Sequence, residues 1–175
     1  MEILRIGEKT ISLSRIQQKI EQILIMRSRG YSQQDAAEKI GIDRSFISRL
    51  ECLGEIRKGK TIGVIGFPIM NKEEILEILK EYGISLHLLF TENERGFFVS
   101  SKSGLDLFNE VMELLSQFRN VDTVIIMASD KRIRLLEELL DNQVIPFEIG
   151  VSPLKEDIYV KPDVLKNLIE MLKVV

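Results

Sequence analysis

The stretch SQQDAAEKIGIDRSFISRLE, Ser32–Glu51, carries two short helical patterns that meet at one glycine, Gly41. Ser32 is a good helix N-cap, with Asp35 three residues on. The first pattern runs through Ala36, Ala37 and Ile40 and stops at Gly41. Asp43 can cap the second pattern, whose inward face is Ile47 and Leu50. A corner of this kind needs a small residue where two helices approach and a glycine where the backbone turns left-handed. It also needs an apolar residue to lock the second helix onto the first. Ala37, Gly41 and Ile47 supply these in order, and Ile40, Ile42 and Leu50 fill the space between.

Upstream, ILRIGEKTIS (residues 3–12) alternates and turns at Gly7-Glu8, which predicts a small β-hairpin. A helix is expected next, with Ser14 and Gln17 at capping-box spacing. Its apolar face is Ile16, Ile20, Ile23 and Leu24, and its stop is Gly30. Downstream, Leu53-Gly54 ends the third helix, and the glycine- and charge-rich GEIRKGK reads as a linker.

Beyond Thr61 the pattern changes. TIGVIGFPI is a short apolar run rich in β-branched residues, as in a buried strand. KEEILEILKEYG predicts a helix, SLHLLFT a strand, GFFVS a further short strand, and GLDLFNEVMELLSQF a longer helix. VDTVIIMAS is the clearest strand and KRIRLLEELLDN a helix; VIPFEIGV is a strand for which Pro146 suggests an edge or irregular position. DIYV extends the sheet, and DVLKNLIEMLK closes the chain as a helix. Strands alternating with helices predict an open, mostly parallel α/β sheet, Rossmann-like and three-layered. The expected organisation is a small all-α domain over 1–54, a linker over 55–60 and the α/β domain over 61–175.

The 175 residues carry a net charge of −3, unevenly spread. Met1–Lys60 holds 12 Lys+Arg against 8 Asp+Glu, whereas Thr61–Val175 holds 12 against 19. A basic front and an acidic back suit a nucleic-acid contact at the front. No apolar run approaches the ~18 residues of a membrane span, and the N-terminus lacks the layout of a signal peptide. The single cysteine, Cys52, fits a reducing compartment, so a cytoplasmic protein is expected.

The corner resembles the helix-turn-helix of the phage-repressor family (Cro/λ-repressor-like, XRE). The resemblance covers residues 14–54 and rests on Gln33, Ala37, Gly41, Asp43 and the ending Ile47-Ser48-Arg49-Leu50-Glu51. Repressor domains of that family usually add two further helices; this chain reaches a charged linker instead, which implies a compact three-helix version. The resemblance implies double-stranded DNA as partner, with Arg44, Ser45, Ser48 and Arg49 on the outer face of a recognition helix that enters the major groove. Arginine there can bind guanine in bidentate fashion. Gln33, at the start of the helix before it, would meet a phosphate. Phe46 has two roles open to it, touching a thymine methyl or packing on the first helix. Arg27, Arg29, Arg57, Lys58 and Lys60 could add phosphate contacts, though each taken singly reads better as an ordinary solvated charge.

Nothing as specific marks the second half. GVIGFP lacks the third glycine of GxGxxG and is no P-loop, so a strand and turn is expected. Asn71 with Glu74 at box spacing reads as a helix cap where an anion could dock; SSKSG could cradle a phosphate but is more often just a cap and loop; SDK follows the clearest strand and opens a helix. In an open parallel sheet, Pro68, Thr91, Ser129 and Gly150 would border the crevice outside the strand ends. His87 falls in an apolar strand and is expected buried, as is the Cys52 thiol. One His and one Cys leave too few ligands for a metal, and no nucleophile, base and orienter assemble; no cofactor is expected.

The reading is a sequence-specific DNA-binding transcriptional regulator, a homodimer, whose α/β domain dimerises it, senses a small effector, or both. The alternative is an enzyme acting on a nucleotide or phosphorylated metabolite with a tethered helix-turn-helix; a third reading is a pure interaction module.

Overall fold

The computed structural model describes residues 3–56 and 59–173. By its internal contacts the chain divides into two compact units, Met1–Glu55 and Ile56–Val175. The linker residues Arg57 and Lys58, and their candidate phosphate contacts, lie outside the described residues.

The first unit opens with the antiparallel hairpin β1 (Ile3–Ile6) and β2 (Lys9–Ser12), turning at Gly7-Glu8 as its alternation predicts. Three helices follow: α1 (Leu13–Ser28), α2 (Gln33–Ile40) and α3 (Arg44–Gly54). The cap of α1 is Ser12 rather than Ser14. The Ser12 hydroxyl accepts from the Arg15 N–H, because the helix starts directly out of the hairpin without an intervening turn. The core of this unit is small: Ile23, Ala36, Ala37 and Ile47 are buried, with Met26, Ile40, Ile42 and Leu50 against them. Of the predicted α1 face only Ile23 is buried; Ile16 and Leu24 are exposed, because two short helices cover only one side of a sixteen-residue one.

The second unit is a four-stranded parallel sheet in the order β4-β3-β5-β6. Its strands are β3 (Ile62–Gly66), β4 (His87–Leu89), β5 (Thr123–Ser129) and β6 (Gln143–Gly150). The helices are α4 (Lys72–Glu81), α5 (Glu92–Ser100), α6 (Gly104–Phe118), α7 (Asp130–Leu139) and α8 (Pro162–Leu172). Alternation along β5 sorts the core into two layers. Ile125 and Met127 join Ile75, Ile78 and Leu79 of α4 and Leu165, Ile169 and Leu172 of α8. Val124, Ile126 and Ala128 join Phe118 of α6 and Ile133 of α7 on the other face. The expected three-layer α/β arrangement is therefore present. β6 is an edge strand, as Pro146 suggests.

Three expectations for this unit fail, each for a local reason. GFFVS is helical, within α5: Thr91 accepts from the Glu94 N–H while the Glu94 carboxylate accepts from the Thr91 N–H, so a complete capping box upstream starts a helix that carries through Phe97, Phe98 and Val99. His87 is exposed, because β4 is only three residues long and lies at a sheet edge. DIYV forms no strand and makes only an isolated bridge, Ile69 with Ile158. No described helix is long and apolar enough to cross a membrane.

Candidate nucleic-acid interface

The corner is built as its residues require. Ser32 and Asp35 form a reciprocal box at the start of α2, the Ser32 side chain accepting from the Asp35 N–H. Gly41 ends α2 at φ +76°, in the left-handed region, and its N–H donates to the Ala37 carbonyl at 2.9 Å. The Ile42 N–H reaches the same carbonyl at 3.1 Å, so both groups of the turn are satisfied. Asp43 then caps α3, accepting from the Ser45 N–H at 2.7 Å. Ile47 is fully buried and fixes α3 onto α1 and α2.

With Ile47 and Leu50 turned inward, Arg44, Ser45, Ser48 and Arg49 are all exposed. Cys52 is exposed as well, against the expectation of a buried thiol. It stands four residues after Ser48 and so shares its side of the helix. Cys52, Ser48, Arg49 and Leu53 line one shallow open depression. Phe46 lines an apolar groove with Ile16 and Ile20 of α1 and Ile40 and Ile42 of the turn. Its ring stays about half exposed, so it borders this groove without joining the core of the unit, and both of its roles stay open.

Gln33 is half-buried, and its carboxamide is spent inside the protein. Its Nε2 donates to Glu51 at 2.7 Å, and its Oε1 accepts from Arg44 Nε at 3.4 Å. Glu51 in turn accepts from Arg27, whose guanidinium also donates to the Tyr31 carbonyl. The Arg27 and Gln33 hydrogen bonds hold the Glu51 carboxyl below the usual glutamate range. One carboxylate thus ties α1, α2 and α3 together directly beside Arg44. Sequence reasoning counts Glu51 only as part of the motif's ending and gives it no task, although it lies seven residues after Arg44, on the same side of α3. Lys39, over the Tyr31 ring at 4.0 Å, adds a further charge on this unit.

The second unit offers its candidate residues less freely. Gly63 and Gly66 of GVIGFP lie within β3, where a Cβ on Gly63 would meet the Phe118 ring at 3.0 Å. These glycines serve packing, as expected of a strand. Asn71 does not cap α4 with its side chain. Its carboxamide exchanges hydrogen bonds with Val160, accepting from the N–H and donating to the carbonyl, and donates to Glu74. Ser103 of SSKSG is occupied as the cap of α6, and Lys102 pairs with Glu110 at 3.1 Å.

The crevice expected around Pro68, Thr91, Ser129 and Gly150 is crossed by the chain itself. The Ile158 N–H donates to the Pro68 carbonyl, and the Met70 N–H to the Ile158 carbonyl. The Ser152 N–H donates to Asp130, the Ser152 hydroxyl meets that of Ser129, and the Glu92 N–H donates to Asp157. Among the described residues no group of His, Cys, Asp and Glu could hold a metal ion.

Comparison with known proteins agrees with the geometry of the first unit. The family model described as Helix-turn-helix, of XRE/Cro type, matches residues 20–51, from within α1 to Glu51. No curated protein and no solved structure matches the chain. The N-terminal unit thus carries a helix-turn-helix, which marks a DNA-binding transcription regulator.

Proposed function

We propose that this chain is a sequence-specific transcriptional regulator that binds double-stranded DNA as a homodimer. Residues 1–54 form the DNA-binding part, 55–60 the linker, and 61–175 the part that dimerises the protein and receives any small effector. The observation that carries this reading is the outer face of α3, where Arg44, Ser45, Ser48 and Arg49 stand exposed on a helix braced through Ile47 and Glu51. Arg44 and Arg49 read base edges, and Ser45 and Ser48 contact bases or phosphates beside them. Gln33 acts twice: its N–H lies at the positive end of α2, facing phosphate, and its carboxamide steadies Arg44.

One helix of eleven residues touches few base pairs, so useful selectivity calls for two half-sites about 34–36 Å apart, held by a two-fold pair. A regulator is favoured over an enzyme by the crossing of the strand ends near Pro68 and Ser129, where an α/β enzyme would seat a phosphorylated substrate. The test is selection of bound fragments from random DNA by the full chain, followed by a salt titration of the winner. A two-fold-related site whose affinity falls steeply with salt is expected. Recovery of no preferred sequence would overturn the reading.

A further inference from the structure

Helix α6 has more apolar surface than the sheet can use. Leu115 and Phe118 turn toward the sheet, with Phe118 buried. Yet Leu105 is 70% and Phe108 61% exposed, and Val111 and Met112 lie between 38% and 50%. On the adjoining α5, Phe97 is 72% and Val99 49% exposed. Leu105, Phe108 and Met112 follow one another at spacings of three and four, so they form one stripe rather than scattered contacts. An amphipathic helix that also leaves a second apolar stripe in water is unusual for a monomer.

We infer that the α5–α6 face is where two copies of this chain pair, by an isologous contact about a two-fold axis. This deepens the reading of a paired regulator and rests on it. Two arguments select a second copy as the occupant. The first is charge. In an isologous contact the residues near the axis face their own copies, so any charge there is repelled. The neighbours of the stripe on α6 are Gly104, Asn109 and Ser116, none of them ionisable. The acids of this helix, Asp106, Glu110 and Glu113, lie roughly 110–170° around it at 100° per residue, and Glu110 is neutralised by Lys102. Arg119, which ends the helix seven residues after Met112, continues the line of the stripe, but its guanidinium is taken up by the Leu139 carbonyl and Asp141.

The second argument is area. Taking roughly 150–200 Å² for each such side chain when fully free, the six expose on the order of 600 Å² per chain. Doubled by symmetry this gives at most about 1,200 Å², reached when both helices are covered in full, at the lower edge of the range for specific pairs. An open depression of about 450 Å³, lined by Phe90, Phe97 and Phe98 together with the Lys72–Glu94 pair, adjoins the face and gives it a concave part to receive a side chain from the other copy.

The experiment is sedimentation of the full chain and of Phe108→Glu and Leu105→Glu, with circular dichroism to show that the variants fold. Both residues are exposed, so both variants keep the monomer fold. The wild type is expected to be a dimer, and each variant to raise its dissociation constant by about 30-fold or more. A wild type that stays monomeric at high micromolar concentration overturns the inference, and so does a dimer that both variants leave intact. A wild-type dimer sensitive to both substitutions but blind to DNA sequence would instead leave this face standing and sink the proposed function.

Discussion

Replacing Gly41 tests the corner most directly, because the structure isolates a single cost. Its φ is +76°, and a Cβ built there has nothing within 4 Å. Gly41→Ala therefore adds no clash with neighbours and removes no hydrogen bond; what remains is the strain of an L-residue in the left-handed region, about 1–2 kcal/mol. Asn tolerates that region better than Ala, and a β-branched Val worse. The expected order of destabilisation is Asn, then Ala, then Val. The effect is local to the first unit, so the assay must report on that unit alone. Native-state hydrogen exchange at the amides of the buried residues Ile23 and Ile47 does so in the full chain. A loss of 1–2 kcal/mol should speed exchange at both by about 5- to 30-fold in Gly41→Ala, with Gly41→Asn below that range. Exchange far into the second unit, at Ile125, should not change. If Gly41→Ala exchanges like the wild type, or Val is no worse than Asn, the left-handed turn does not set the angle between α2 and α3. The argument that places Arg44 and Arg49 outward would then lose its mechanical basis.

Two further outcomes follow from the same unit. Arg44→Ala with Arg49→Ala should leave the circular dichroism unchanged, since both residues are exposed, while preference for the selected site over random DNA falls by about 30-fold or more, at ~1–3 kcal/mol for each lost base contact. Glu51→Gln should destabilise the first unit at neutral pH by about 1 kcal/mol, the scale of a partly exposed charged hydrogen bond to Arg27. Because the Glu51 pKa is depressed in the fold, its contribution is complete above the unfolded value of about 4.3 and is lost as pH falls through the lower folded value. The wild type and Glu51→Gln should therefore converge in hydrogen exchange at Ile23 and Ile47 as the pH drops below about 4; a gap that stays constant down to about pH 2 would show that the Arg27–Glu51 pair does not brace the helices.

Much of the architecture is legible in the sequence because caps and periodicity reinforce one another. Ser32 with Asp35, Gly41 and Asp43 mark the ends of α2 and α3, and the unbroken apolar run of β5 shows a strand covered on both faces. The failures fall where one signal stands alone. GFFVS has strand-like composition, but the Thr91–Glu94 box ends just before Gly96 and is not in view when that segment is read by itself; the box decides for a helix. His87 looks buried because its neighbours are apolar, yet an edge strand leaves one face and one rim to water. The exposure of Cys52 is readable from its spacing of four from Ser48, which places it on the outer side of α3. The Glu51 network is hidden for a different reason. Its partners Arg27 and Gln33 are 24 and 18 residues away, and only the packing of three helices brings them together.

The two inferred surfaces constrain one another. A helix with four outward polar residues binds a lone half-site weakly, so occupancy of an operator depends on joining two such helices. Joining them through a face of at most about 1,200 Å² gives a pair near the weak end of specific association. Pairing and DNA binding are then linked by mass action: DNA that holds both half-sites favours the dimer, and a higher protein concentration favours occupancy more steeply than a preformed dimer would allow. On this account regulation does not require a ligand in the crevice at the strand ends, which the segment through Ser152 and Ile158 already crosses. Whatever shifts the α5–α6 contact shifts operator occupancy with it. An effector acting there needs only a different affinity for the paired and unpaired chain, and it can shift the equilibrium by no more than that difference.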